Sequence, residues 1–173
     1  ERGQRGGGGE EADVAPQGQH RRRALARAEA AAFDLEALGE RADIRVVGDR
    51  FVFQAEVLFA SGSAELEPNG RAQIARLAET LKEISAKIPS DINWVLQVDG
   101  HTDKRPIFTP QFPSNWELST ARAISVVKFL MSQGIPSDRL SAAGFAEFQP
   151  IDARDDEIGF RRNRRIEIKL TNR

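Results

Sequence analysis

The sequence lacks cysteine entirely and has only two histidines and one methionine among its 173 residues. The absence of cysteine excludes structural disulfides, thiol catalysis and cysteine-ligated metals, and two histidines are too few for a histidine-rich metal site. No run of about 18 apolar residues is present, so nothing in the sequence is predicted to span a bilayer. No signal-peptide pattern opens the chain.

A strong charge of either sign is also missing. The chain has 25 Lys and Arg against 26 Asp and Glu, which gives a net charge of -1. So balanced a chain has no long-range field that would attract nucleic acid or an anionic membrane. Any charged ligand must therefore be recognised by a local group of side chains. The length predicts one globular domain with an appendage rather than a two-domain enzyme.

Composition divides the chain into three parts. Residues 1–23 contain six glycines and are predicted to be a flexible linker, because they can bury too little apolar surface to offset the loss of conformational entropy on ordering. This linker could be a native tether or an expression remnant. Residues 24–47 are predicted to hold a linker helix over 24–38 and the first strand. The domain itself is predicted over residues 48–173.

Hydrophobic periodicity alternates between strand and helix through the domain. Long helices are predicted over 68–88 and 115–134, because apolar residues there recur on one helical face. Strands are predicted at 44–47, 50–53, 92–98, 139–143 and 165–170. This order predicts an α+β fold, a sandwich in which two long helices cover a mixed β-sheet.

The most informative charges lie after the strand at 92–98. Asp103 follows the carboxyl end of that strand, where ligand sites of sheet proteins gather. Arg122 projects from the helix that begins at Asn115, whose first N–H groups attract anions. The Arg122 guanidinium can bind a carboxylate through two parallel hydrogen bonds, while Asp103 accepts hydrogen bonds from an ammonium. Together the two side chains could bind a zwitterionic amino acid. The competing interpretation is a turn cap at Asp103 and a solvated ion pair at Arg122.

Four groups of residues then occur in a recognisable order. They are Gly100-His101-Thr102-Asp103, 115–123 (Asn-Trp-Glu-Leu-Ser-Thr-Ala-Arg-Ala), 140–145 (Leu-Ser-Ala-Ala-Gly-Phe) with Gln149-Pro150-Ile151, and 162–168 (Arg-Asn-Arg-Arg-Ile-Glu-Ile). Over residues 50–172 the chain resembles the OmpA-like peptidoglycan-binding domain. The stretch 112–119, Phe-Pro-Ser-Asn-Trp-Glu-Leu-Ser, resembles its MotB-type branch, the wall-anchoring subunit of ion-driven stator complexes.

The resemblance implies a periplasmic domain that binds the diaminopimelate residue of the peptidoglycan stem peptide noncovalently and needs no cofactor. The family's ligand-binding aspartate falls on Asp103 and its arginine on Arg122. The peptidoglycan-binding residues that the resemblance implies are Asp103, Arg122, Asn115, Thr102, Leu118 and Arg164. The loop 104–111 is longer than in outer-membrane relatives, so contacts from it are left open.

The MotB-type resemblance further implies a homodimer, a MotA-like membrane channel as a partner, and a tether to the inner membrane by a segment outside this sequence. The stripe of Leu25, Ala28, Ala32 and Leu35 suits such pairing. No nucleic-acid partner is expected. The alternative binding protein is an outer-membrane-associated lipoprotein that ties the envelope to the wall.

The alternative enzyme is a peptidoglycan hydrolase, which needs a metal, a nucleophile with its base, or two opposed carboxylates. His101 and Asp103 lack a third metal ligand, and Asp99 lies four residues from Asp103. We therefore expect neither an enzyme nor a bound metal. The arginines at 161–165 are interpreted as a solvated face, and Trp94 and Trp116 as core or rim aromatics rather than sugar platforms.

Overall fold

The computed structural model describes residues 44–47 and 50–172. The linker predicted over 1–23 and the helix predicted over 24–38 lie outside these residues, as do residues 48–49 between the first two predicted strands. Within the described part of the chain, every helix is too short or too polar to span a bilayer.

Five strands form one mixed sheet in the order β1-β2-β5-β3-β4. Their bounds are β1 Ile44–Val47, β2 Arg50–Gln54, β3 Trp94–His101, β4 Leu140–Gly144 and β5 Arg165–Asn172. Strands β3 and β4 are parallel, and the other three neighbouring pairs are antiparallel. Because β3 and β4 are parallel, their carboxyl ends meet at the same edge of the sheet. The predicted α+β fold with a mixed sheet is confirmed.

Two long helices, as predicted, lie between the strands in the sequence. The helices are α1 Ala55–Leu58, α2 Pro68–Ser85, α3 Asn115–Ser132 and α4 Glu157–Asn163. The short helices α1 and α4 were not predicted, because four and seven residues are too few to show a helical period. Asp156 is a local sequence signal for the start of α4, because aspartate is a preferred N-cap residue. Its side chain accepts a hydrogen bond of 2.7 Å from the Gly159 N–H.

The core lies between one face of the sheet and the helices α2 and α3. Alternation along the predicted strand β5 places Ile166 and Ile168 in this core, while Arg165 and Glu167 point to the other face. Fully buried side chains of the core include Phe53, Ile74, Leu96, Val98, Val126 and Leu130.

Two glycines let helix α3 lie directly against the sheet. A Cβ atom on Gly100 would come 2.1 Å from the Ser119 carbonyl oxygen, and one on Gly144 would come 2.1 Å from the Thr120 hydroxyl. Only a residue without a side chain permits such close approach of strand and helix. The start of α3 is thereby fixed beside the carboxyl ends of β3 and β4.

We predict that Gly100→Ala lowers the free energy of unfolding by about 2 kcal/mol or more, because the new methyl group must push the α3 backbone away. Urea denaturation measures this effect. Ala142→Ser, at an exposed position of β4, is the control and should change stability by less than about 0.5 kcal/mol. An equally small loss for Gly100→Ala would contradict the direct contact between helix and strand.

Candidate functional site

The candidate site begins where β3 ends. Thr102 and Asp103 follow this strand and are both buried. The Thr102 N–H donates a hydrogen bond of 2.9 Å to the Ala146 carbonyl, and the Thr102 hydroxyl donates one of 3.0 Å to the Asp103 carbonyl. The segment after β3 is thereby tied to the segment after β4, and Asp103 is held at the sheet edge.

Two arginines bind the Asp103 carboxylate. Arg105 donates from its backbone N–H at 2.8 Å and from Nη2 at 2.7 Å, and Arg164 donates from Nη1 at 2.6 Å. Burial alone raises the pKa of the Asp103 carboxyl, but the hydrogen bonds from Arg105 and Arg164 outweigh it and the pKa lies below its ordinary value. Asp103 is therefore a fixed negative charge at neutral pH.

Arg164 connects Asp103 to two further carboxylates. Its Nε donates to Glu56 at 2.7 Å, and its Nη2 donates to Glu157 at 2.8 Å. Burial lowers the pKa of Arg164, but its hydrogen bonds to Glu157, Asp103 and Glu56 raise the pKa by a larger amount. The net shift of the pKa is therefore upward. The side chain of Arg164 is only 18% exposed, so it does not lie on the solvated face predicted for the arginine run and instead contacts Asp103, near which the resemblance placed it.

The start of helix α3 supports the backbone around Asp103. Helix α3 begins at Asn115, as predicted, and the Ser114 hydroxyl caps it by accepting from the Trp116 N–H at 3.2 Å. The buried Asn115 side chain donates to the carbonyl oxygens of Arg105 at 3.1 Å and Asp103 at 3.5 Å. Asn115 thus contacts the backbone carbonyl oxygens of this loop rather than the Asp103 carboxylate. Leu118 is buried on the same helix, one turn before Arg122.

Arg122 lies in a different setting from the other arginines. It is only 5% exposed, its guanidinium donates to the carbonyl oxygens of Ser63 at 2.8 Å and Ala60 at 3.4 Å, and it covers the Phe59 ring at 5.1 Å. Among the residues described, no carboxylate forms an ion pair with Arg122. Burial lowers its pKa to about 10, although the more distant charges of Glu56 and Asp103 act in the opposite direction.

The six residues implied by the resemblance thus fall into two groups. Hydrogen bonds connect Asp103, Arg164, Asn115 and Thr102. Leu118 and Arg122 lie further along α3, and the Arg122 guanidinium donates to the carbonyl oxygens of Ser63 and Ala60 instead. Sequence reasoning missed Arg105, Glu56 and Glu157. Arg105 had a local signal, because an aspartate commonly accepts from the N–H two residues on. The glutamates had none, since Glu56 lies 108 positions from Arg164.

A second buried charge cluster lies on the sheet face away from α2 and α3. Oxygen or nitrogen atoms of Asp99, His101 and Glu167 come within 4.8 Å of one another, which is a spacing that metal ligands can have. However, Glu167 pairs with Arg50 at 2.6 Å and with Arg165 at 2.7 Å, and Asp99 lies 3.3 Å from Lys169. These cations already neutralise the carboxylates, so the cluster suits a structural ion network better than a metal ion.

His101 is the unpartnered member of this second cluster. Neither of its ring nitrogens has a hydrogen-bond partner among the described residues, and its ring stacks on Phe145 at 5.1 Å. Burial, followed by the charge of Arg165, lowers the pKa of His101 to about 4. Arg165 is 2% exposed, so the prediction of a solvated basic face is wrong here too.

Comparisons with known proteins agree on one family. The sequence model of the OmpA family matches residues 58–164. The uncharacterized protein YtxE of Bacillus subtilis (strain 168) is 40% identical over 120 residues, which are 69% of this chain and 46% of that protein. The chain therefore spans less than half the length of this relative.

Solved structures extend the similarity to the fold. A protein described as MotB-like, from Desulfovibrio vulgaris, has a TM-score of 0.70 at 26% identity over 90% of this chain and 96% of its own. The cell wall anchor of the T6SS from Pseudomonas aeruginosa has a TM-score of 0.64 at 32% identity, covering 86% of this chain and 97% of its own.

We predict that the free energy of unfolding falls by about 2 kcal/mol between pH 7 and pH 5 because of His101. The histidine of the unfolded chain takes up a proton below its ordinary pKa of about 6.5, whereas the folded one stays neutral down to about pH 4. The unfolded state therefore binds more protons, and stability is lost as the pH falls.

Urea denaturation at pH 7, 6 and 5 measures this dependence. His101→Gln should flatten it, while His20→Gln, which removes the other histidine, should retain the slope of the parent chain. A parent chain with constant stability over this range would contradict a buried neutral His101.

Proposed function

This chain belongs to the OmpA family of peptidoglycan-binding domains, and from that premise we propose that it is a noncatalytic anchor which binds the diaminopimelate of the stem peptide. We propose further that it is the periplasmic part of a MotB-like stator or a related inner-membrane protein. A homodimer with a MotA-like membrane partner is part of this proposal. The likeness to a MotB-like protein and to a cell wall anchor supports it.

The buried guanidinium of Arg122 is the main support for this proposal. A charge removed from water is costly unless an opposite charge compensates it, and the carbonyl oxygens of Ser63 and Ala60 compensate it only in part. A ligand carboxylate would supply the missing partner and could accept two parallel hydrogen bonds. Arg122 is therefore proposed as the carboxylate receptor.

Asp103 is proposed as the receptor for the ligand's ammonium group. Arg105 now binds this carboxylate, but its side chain is 52% exposed, so it can move aside at little cost. Arg164 holds Asp103 from the other side and, being tied to Glu56 and Glu157, keeps the carboxylate in place. An ammonium can take the position of the Arg105 guanidinium on Asp103, and the displaced guanidinium can remain beside Glu157 or be hydrated.

The same arrangement does not suit the chemistry of a hydrolase. A general acid must hold a proton near neutral pH, and the arginines around Asp103 keep its pKa below the ordinary value of a carboxyl group. The nearby carboxylates Glu56 and Glu157 are likewise engaged by Arg164. We therefore propose that the site binds its ligand without changing it.

The proposed division of the chain follows the same reasoning. We propose that residues 1–23 are a linker between the wall-binding domain and a membrane-proximal part, and that residues 24–47 contribute to pairing of two copies. Strand β1, which lies inside that second segment, pairs with β2 and is part of the sheet.

We predict that Arg122→Met weakens binding of a stem tripeptide ending in meso-diaminopimelate by about 10- to 100-fold, because a charge-assisted bond contributes about 1.5 to 3 kcal/mol. Asp103→Asn should cause a similar loss. Replacing diaminopimelate by lysine removes the carboxylate at the free end of the side chain but retains the ammonium there. The parent chain should therefore bind the lysine tripeptide more weakly too. Isothermal titration calorimetry measures the four combinations of the parent chain or Arg122→Met with either tripeptide, and Asp103→Asn with the diaminopimelate tripeptide.

The two changes should not be additive, since each removes the same interaction. Arg122→Met should therefore weaken binding of the lysine tripeptide by less than about threefold. Its free energy of unfolding should change by about 1 kcal/mol at most, because loss of a desolvated charge offsets the lost hydrogen bonds. Equal losses on both tripeptides would mean that Arg122 is structural, and release of soluble fragments from purified sacculi would favour a hydrolase.

A further inference from the structure

An exposed pair of aromatic rings lies outside the charged site. The rings of Trp116 and Phe148 stack with their centroids 5.3 Å apart and their planes inclined by 29°. Both remain open to solvent, Trp116 at 49% and Phe148 at 60% exposure. Aromatic rings bury large apolar areas when they find a partner, so two stacked, exposed rings offer a surface that a ligand can cover.

The backbone beneath the two rings is held by hydrogen bonds. The Ser119 hydroxyl donates to the Trp116 carbonyl at 3.2 Å and accepts from the Ala146 N–H at 3.1 Å. The Phe148 N–H donates to the Phe145 carbonyl at 3.3 Å, and the Phe145 N–H donates to the Gly100 carbonyl at 2.9 Å. One buried hydroxyl thus joins the segments that carry the two rings.

Ala146 shows that the loop of Phe148 has an unusual conformation. Its φ of 50° lies in the left-handed region, which residues with a side chain rarely adopt. The Ala146 side chain is fully buried. Such a conformation persists only where the surrounding structure imposes it, and it recurs at binding sites. Here the hydrogen bonds of Ala146 to Thr102 and Ser119 impose it. The ring pair is therefore preorganised.

The pair is continuous with the candidate site. Trp116 directly follows Asn115, whose side chain contacts the backbone of Asp103 and Arg105. On the other side, Ala146 accepts from Thr102, the residue before Asp103. Both rings are thus anchored on segments that bond the backbone on either side of the Asp103 carboxylate.

The sequence alone favoured a rim aromatic at Trp116, but its stacking on the exposed Phe148 ring changes that interpretation. We propose that the Trp116–Phe148 pair is a stacking platform for a sugar ring of the wall's glycan strand. This inference rests on the proposed function. In peptidoglycan the diaminopimelate is joined to an amino sugar through two amino acids, which span about 7 Å when extended. A stem peptide bound at Asp103 and Arg122 would therefore bring its own sugar to the neighbouring surface.

The chemistry of the pair favours a sugar over a protein partner. A pyranose has a flat face of C–H groups that stacks on an aromatic ring and a rim of hydroxyl groups that needs polar neighbours. The chain neighbours Glu117, Glu147 and Gln149 are polar and at least partly exposed, so they can meet such a rim. A stable protein interface would need about 1,000 Å² or more of buried surface, far beyond two rings.

The test compares two ligands in calorimetry, a free tripeptide ending in meso-diaminopimelate and the same tripeptide attached to its disaccharide. The parent chain should bind the disaccharide form about 5- to 10-fold more tightly, as expected for one aromatic stacking contact. Trp116→Ala and Phe148→Ala should each reduce this ratio to within about twofold of unity. Phe108→Ala, which removes a ring that is 90% exposed, is the matched control and should retain the full ratio.

The outcomes separate this inference from the proposed function. Equal binding of the two ligands by the parent chain would overturn the platform while the peptide site stands, and it is also the result expected if the pair meets a protein. Variants that weaken both ligands by the same factor would show that the rings only support the peptide site. Failure of the parent chain to bind the tripeptide would contradict the proposed function, and the platform with it.

Discussion

The contact of helix α3 with the bare backbone at Gly100 and Gly144 is the constraint on which the rest of the structure depends. It brings the helix start to the carboxyl ends of two parallel strands, which is where the backbone leaves the sheet and side chains can converge. Asn115 and Ser119 then bond the loops that follow β3 and β4. The charged site and the aromatic pair are both consequences of this one close approach.

Opposite charges are distributed unevenly around the site, and this imbalance determines what it can bind. Asp103 is held between Arg105 and Arg164, whereas Arg122 is buried against uncharged carbonyl oxygens. In the proposed complex, the ammonium of the ligand replaces the half-exposed Arg105 guanidinium on Asp103, and the carboxylate of the ligand compensates Arg122. The second ion network, around Glu167, has its charges matched within the fold and is structural.

Sequence patterns predicted the mixed sheet, both long helices and the start of α3 at Asn115, because periodicity and capping are local properties. The positions and charges of Asp103 and Arg122 singled them out but left open a turn cap and a solvated ion pair, and the family resemblance then favoured a binding role. The glutamates that hold Arg164 could not be predicted, since Glu56 and Glu157 reach it only through the fold. The burial of Arg165 could not be predicted either, because its position in a basic run suggested a solvated face. In the fold its guanidinium donates to the Glu167 carboxylate and the Gln149 carbonyl.

A crystal structure of the domain with meso-diaminopimelate would test the proposed binding of the ligand's carboxylate by Arg122. We expect both oxygens of one ligand carboxylate within hydrogen-bond distance of the Arg122 guanidinium, about 2.7 to 2.9 Å. We also expect the adjacent ammonium on Asp103 and the Arg105 side chain displaced toward solvent. A carboxylate bound to Arg105 or Arg164, with Arg122 still donating only to Ser63 and Ala60, would contradict the claim.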